Sequence, residues 1–206
     1  MAGLGDDARL ATIRAAFTEP RDPTRLGLWR KGISEAGAAV VGAALGAMDA
    51  PLPFEVIDLA RNELTAAGMR SIVEGMGRGR LPNLRVVRVG GNGLGHGGVA
   101  ALAEALADCA SLEVLRIEDC GVGGAGFEAL AAVVPRWPRL RGLGAADNPG
   151  PSDALGRALA AALPSLPDAE GFYLRNSGLG EGAAAELRAA KADAGSAVEL
   201  PGLHLQ

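Results

Sequence analysis

Apolar and polar residues alternate along this chain in two rhythms that take turns. The segments FEVIDLARNEL (54–64), LRVVRVGGNGL (84–94), LEVLRIEDCGV (112–122), LRGLGAADNPG (140–150) and AEGFYLRNSGL (169–179) fit one template, LxxLxLxx(N/C)xL. Its close apolar slots with outward residues between them predict a short strand followed by a turn. PTRLGLWRKGI, from Pro23, fills the same slots with Leu26, Leu28 and Ile33, and LPGLHL (200–205) supplies half a copy through Leu200, Leu203 and Leu205. The copies start at 23, 54, 84, 112, 140, 169 and 200, spaced by 31, 30, 28, 28, 29 and 31 residues. Behind each strand segment the rhythm changes to one apolar residue in four, as in Leu94, Gly98, Leu102 and Leu106, in Ile33, Gly37, Val41 and Leu45, and in Val122, Gly126, Leu130 and Val134. That spacing places them on one face of a helix. The stretches 4–17 and 150–163 follow it with a one-residue slip.

A repeat of this length and template resembles the leucine-rich repeat family, in its ribonuclease-inhibitor-like class, over nearly the whole chain. The resemblance implies an α/β fold: a right-handed solenoid bent into a horseshoe arc, with about seven short parallel strands on the concave side and helices on the convex side. Residues 1–20 read as an N-terminal helical cap, a degenerate half repeat, and residues 23–206 as a single domain of repeats. One unit cannot bury its own apolar face, so stacking must supply the core. Asn62, Asn92 and Asn148 are expected to bond neighbouring backbone at each turn, with Cys120 as the family's accepted substitute. Lys31 and Ser177 depart from that slot, so the first and sixth turns are expected to be less regular.

Composition narrows the function. A chain of 206 residues with 49% hydrophobic and 21% charged content folds. Its 41 alanines, 31 glycines and seven aromatic residues call for a close-packed core of small and aliphatic side chains. The longest stretch free of charged residues and histidine, 36–48, is 13 residues, short of the roughly 20 that cross a bilayer, and the start MAGLGDDAR is acidic where a signal peptide is basic. A cytoplasmic protein without membrane association is expected. A net charge of −4 gives no reason to bind nucleic acid.

One glycine pattern invites a cofactor. Gly93-Leu-Gly95-His-Gly-Gly98 lies between strand and helix with Glu113 and Glu118 downstream, as in a dinucleotide-binding turn. The pattern returns at 121–126 and, in its Gly/Ala form, at 178–183. Three copies cannot all open a nucleotide fold, so the glycines are assigned to tight turns and to places where a helix meets a strand, and no cofactor is expected. Lys31 and Lys191 lie in no phosphate-binding loop, and no GxSxG elbow is present. His96, His204, Cys109 and Cys120 lack metal-ligand spacing, so no metal is expected and the cysteines are assigned to packing. Catalysis is not expected.

Function should then reside on the outward positions of the strands. The central column is Gly27, Asp58, Arg88, Arg116, Gly144, Tyr173 and His204. Two residues on it is Trp29, Ala60, Gly90, Glu118, Ala146, Arg175 and Gln206, and at the strand exit Arg30, Arg61, Gly91, Asp119, Asp147 and Asn176. The candidate partner-binding residues are Trp29, Arg30, Asp58, Arg61, Arg88, Arg116, Glu118, Tyr173 and Arg175, because exposed aromatics and arginines dominate protein-binding hot spots. The competing reading is a solvated wall in which Asp58 and Glu118 neutralise the arginines and Trp29 covers the end of the core. Both signs of charge occur together, so neither a purely acidic nor a purely basic ligand is indicated. The function expected is a non-catalytic scaffold or regulator binding another protein through its concave face. The alternatives are a GTPase-activating protein resembling the Ran regulator and a recognition domain of a larger sensor or effector. Trp137, between helix and strand, is assigned to packing.

Overall fold

The computed structural model describes residues 6–195 and 197–200. Helix and strand alternate along them: α1 (Asp6–Thr18), β1 (Arg25–Gly27), α2 (Glu35–Ala47), β2 (Val56–Asp58), α3 (Ala66–Met76), β3 (Val86–Arg88), α4 (Gly95–Leu106), β4 (Val114–Arg116), α5 (Gly124–Val133), β5 (Gly142–Gly144), α6 (Asp153–Ala162), β6 (Gly171–Tyr173) and α7 (Glu181–Asp193). The six strands form one parallel sheet in chain order. Their middle residues stand in register as Leu26, Ile57, Val87, Leu115, Leu143 and Phe172. A seventh strand was expected. The start expected at Leu200 is corrected: Glu199 makes an isolated parallel bridge to Gly171, the third residue of its copy, so the seventh copy begins at 197, while Leu203 and Leu205 lie outside the described residues, as do residues 1–5 of the cap.

The slots of the template are the core. Leu28, Leu59, Val89, Ile117, Ala145 and Leu174 are buried with the register row, together with the apolar face of each helix. Trp137 is fully buried, and its indole N–H donates to the Leu106 carbonyl at 2.8 Å, so it closes the seam between two repeats. Each helix packs on its neighbours in sequence, which is the nearest-neighbour construction of a solenoid.

Helix spacing depends on glycine, although not where the sequence places it. The glycines assigned to helix–strand contacts lie instead between helices: a Cβ on Gly98 would come 3.2 Å from Ala66 Cα, and one on Gly126 would come 3.1 Å from His96 Cα. The turn assignment holds at Gly95, Gly121 and Gly178, whose φ values are +57°, +66° and +65°. Arg80 closes the other end of the helices. It donates from Nη1 to Gly75 O at 2.8 Å and from Nη2 to Leu45 O at 3.3 Å and Met48 O at 2.5 Å, placing a cation at the carbonyl ends of α2 and α3.

All six strand exits turn through the left-handed region, at Arg30, Arg61, Gly91, Asp119, Asp147 and Asn176, with φ between 51° and 70°. The first and sixth turns are therefore as regular as the rest, against expectation. Lys31 needs no asparagine of its own because its backbone N–H donates to Asn62 Oδ1 of the next repeat at 2.9 Å. Ser177 donates its hydroxyl to Leu174 O at 2.6 Å, as an asparagine amide would, and meets the Ser152 hydroxyl at 2.9 Å.

Cys120 fills its slot as a weak donor, Sγ lying 3.4 Å from Val89 O, and Cys109 is buried beside the α4 end. Burial pushes the Cys109 thiol up to about 11 and the Cys120 thiol up to about 12. A raised thiol keeps its proton below that range. Native protein at mildly alkaline pH should therefore react with a disulfide reagent at least about a hundredfold more slowly than a free thiol, because thiolate is the nucleophile. Both cysteines should titrate at once in denaturant. Fast native labelling would mean that the slots are open.

Candidate functional site: the open face of the sheet

Along each strand the residue at the register position points to the helices and its two neighbours point the other way. The open face is thus carpeted by Val56, Val86, Val114, Gly142 and Gly171 in one column, with the charged central column beside it. A shallow depression of about 680 Å³ opens on it. Arg61, Arg88, Arg116, Glu118, Asp119 and Asp147 line it, with Gly90 and Gly91 contributing no side chain to fill it.

The candidate residues sort into three arrangements. Asp58, expected on the surface, is buried, with only 7% of the residue exposed. Its carboxylate lies 3.5 Å from Arg25 Nη2 and 3.6 Å from Arg88 Nη1, and Oδ1 accepts from Ala60 N at 3.3 Å. It works as a strut that aims two guanidinium groups rather than as a contact residue. Arg116 reaches across β5: its Nη1 lies 3.2 Å from Glu118 Oε1 and its guanidinium carbon 4.6 Å from the Tyr173 ring centre. Gly144 permits this. A Cβ there would come 2.6 Å from Glu118 Cδ and 2.8 Å from Arg116 Nη1. Arg175 pairs with Asp147 at 3.0 Å, and Asn176 donates to the same carboxylate at 2.8 Å.

Trp29, Arg30 and Arg61 stand apart. Trp29 is 50% exposed instead of covering the end of the core, with the Arg30 guanidinium 5.2 Å from its ring centre. Among the described residues neither Arg30 nor Arg61 has an acidic partner.

Sequence reasoning missed a further column, one residue after the first apolar slot: Glu55, Arg85, Glu113, Arg141 and Glu170. It alternates in sign from repeat to repeat. Arg85 grips Glu113 through two bonds of 2.9 and 3.0 Å and lies 3.8 Å from Glu55, and Arg141 pairs with Glu170. Hydrogen bonding to Arg85 holds the Glu113 carboxyl below its ordinary value. The signal was present in the aligned repeats as a column of alternating charge. Such exposed cross-strand pairs are screened by solvent, add little to stability and chiefly fix register.

Among the described residues no group of three or more His, Cys, Asp or Glu side chains is placed to hold a metal ion, and no helix is long and apolar enough to cross a membrane.

The family model described as "Leucine Rich repeat" matches residues 80–103 and 108–131. Each match runs from the approach to a strand into the helix behind it, β3 into α4 and β4 into α5. The Tonsoku-like protein of Mus musculus is 38% identical over 73 residues, which are 35% of this chain and 5% of that protein. The chain thus spans about one twentieth of the length of that relative. Among solved structures, an internalin of Listeria monocytogenes is 13% identical over 94% of this chain and 88% of its own, with a TM-score of 0.24. With the family's template filled by buried side chains, its period kept in the register of a parallel sheet and its model matched on two consecutive copies, this chain carries leucine-rich repeats.

Proposed function

We propose that the protein is a non-catalytic interaction module of the cytoplasm, a scaffold or regulator that docks a partner protein on the open face of its sheet. Leucine-rich repeats themselves suggest a protein-interaction module. The observation that carries the choice of face is Trp29: among the described residues it is the large apolar side chain left exposed, and it stands on the open face beside Arg30, which has no acidic partner among those residues. Tryptophan and arginine are the residues that most often anchor protein interfaces. Around them, Asp58, Gly144 and the Arg116–Tyr173 stack hold a wall whose side chains lose little freedom on binding, which favours affinity. The helix side offers a smaller depression of about 260 Å³ between α3 and α4, lined by Arg70, Val73, Glu74, Arg78, Ala101, Glu104 and Ala105.

The test compares the two faces by affinity capture from native cells. Arg61→Glu and Arg175→Glu, one at each end of the open face, are both exposed, so melting should stay near wild type. At least one of them should remove the captured partner. Arg70→Glu combined with Glu104→Lys on the helices should leave it bound. Loss of the partner with the helix pair alone would move the site to the helix side.

A further inference from the structure

Charges on the open face are segregated, which the mixed columns of the sequence conceal. On β4 to β6 each cation of the face has a carboxylate: Arg116 lies 3.2 Å from Glu118, and Arg175 lies 3.0 Å from Asp147. Asp119 adds another negative charge. On β1 to β3 and their exits stand Arg25, Arg30, Arg61 and Arg88, against Asp58. That carboxylate is sunk, 10% exposed at its side chain, and is already shared by Arg25 and Arg88. Arg30 and Arg61, at the exits of neighbouring strands, are left without an acidic partner among the described residues, and the apolar ring of Trp29 lies beside Arg30. A groove of about 620 Å³ between α1 and β1 adjoins this half of the face, lined by Arg21, Arg25 and Lys31 together with Glu19 and Asp22.

We propose that the β1 to β3 half of the open face takes an acidic segment of a partner protein, an extended run of carboxylates carrying an apolar side chain that seats on Trp29. The proposal rests on the docking reading above and narrows it. Arginine pairs with carboxylates through planar two-bond contacts, and Arg30 and Arg61 stand at the exits of adjacent strands, whose spacing is roughly 4.8 Å, with Arg88 in the next column on the third strand, so an extended chain crossing the strands meets a cation on each. A nucleic acid fits less well: the patch has few cations and one aromatic, Glu55 lies at its strand entry, and the chain carries a net −4.

The test is fluorescence anisotropy of the full chain with short labelled peptides: one rich in Glu and Asp with a Leu and a Phe, its Gln and Asn counterpart, and its Lys counterpart. A single-stranded oligonucleotide of similar length is the fourth probe. The acidic peptide should bind, and bind less tightly as salt rises. Trp29→Ala and Arg61→Ala should each weaken it by about tenfold or more, as loss of an anchor does, while Arg175→Ala and the helix pair leave it unchanged. Circular dichroism of each variant should match wild type, since both side chains are exposed. Tighter binding of the Lys peptide or the oligonucleotide, absence of acidic-peptide binding, or an equal loss with Arg175→Ala would overturn the proposal. Failure of the acidic peptide while Arg61→Glu or Arg175→Glu still strips the native partner would sink this inference and leave the docking reading standing. Loss of that partner with the helix pair alone would sink both.

Discussion

Gly75→Ala should be among the most damaging single substitutions in this chain, although it adds one methyl group and replaces a poor helix former with the best. A Cβ on Gly75 would overlap the carbonyl of Gly42, coming 2.7 Å from its carbon and 2.8 Å from Gly42 Cα. A Cβ on Gly42 would meet the Ser71 carbonyl carbon at 2.8 Å, so α2 and α3 touch backbone to backbone. No rotamer change relieves an overlap with backbone. The helices must part by about 1 Å, which opens the packing of Leu45, Met69, Ile72 and Met76 around them, and overpacking of this kind costs about 3 kcal/mol. In a chain of this size that loss lowers the melting temperature by roughly 6–12 °C. Gly182→Ala on α7 is the control. Nothing lies within 4 Å of the added carbon, and the exchange should stabilise by some tenths of a kcal/mol through helix propensity alone. Equal melting of the two variants would mean that α2 and α3 do not meet at these glycines.

The contrast between those glycines shows what the sequence reveals and what it hides. Slots such as Leu115 and Ile117 are legible because burial recurs at one position per repeat, and a column of six aligned residues averages away local exceptions. Gly42 and Gly75 belong to helices already rich in alanine and glycine, where nothing local marks the pair that makes contact. Reach between repeats is equally invisible. Arg116 meets Tyr173 two strands away only because Gly144 lies between them, and that requires three repeats to be read together with their side-chain lengths. Asp58 looks like its exposed neighbours in the column and is buried because Arg25 and Arg88 close over it from both sides. Sequence therefore placed the candidate residues on one face of the sheet, while pairing decided which of their side chains remain available. Lys31 and Ser177 illustrate the reverse case: the template marked them as irregular, and backbone groups of adjacent repeats supplied what their side chains lack.

Asn148→Ala should cost still more, about 4 kcal/mol, because the side chain fills a buried turn with polar contacts. Asn148 is 1% exposed. Its Oδ1 accepts from Cys120 N and Val122 N, both at 3.0 Å, and its Nδ2 donates to Ile117 O at 3.0 Å, Ala145 O at 2.8 Å and Ala146 O at 3.2 Å. One amide thus serves two donors and three acceptors drawn from two repeats. Ala146 O keeps the Asp119 N–H at 3.0 Å, but alanine leaves the other four facing a small apolar space, and each buried group without a partner costs about 1–3 kcal/mol, with relaxation keeping the sum well below the full total. Because the lost bonds join β4's turn to β5's, the damage falls on coupling between repeats, the term that makes a solenoid fold cooperatively. Asn148→Ser should be milder by about 1 kcal/mol or more, since a hydroxyl can still donate to the carbonyl three residues back. Ser177 does this to Leu174 O in the following turn. Urea unfolding followed by circular dichroism should therefore rank wild type above Asn148→Ser and Asn148→Ser above Asn148→Ala, with a shallower transition for alanine if the two ends of the array begin to unfold separately. A serine variant as unstable as the alanine one would show that the amide's accepting oxygen, and not its donation to the carbonyls, holds the repeats together.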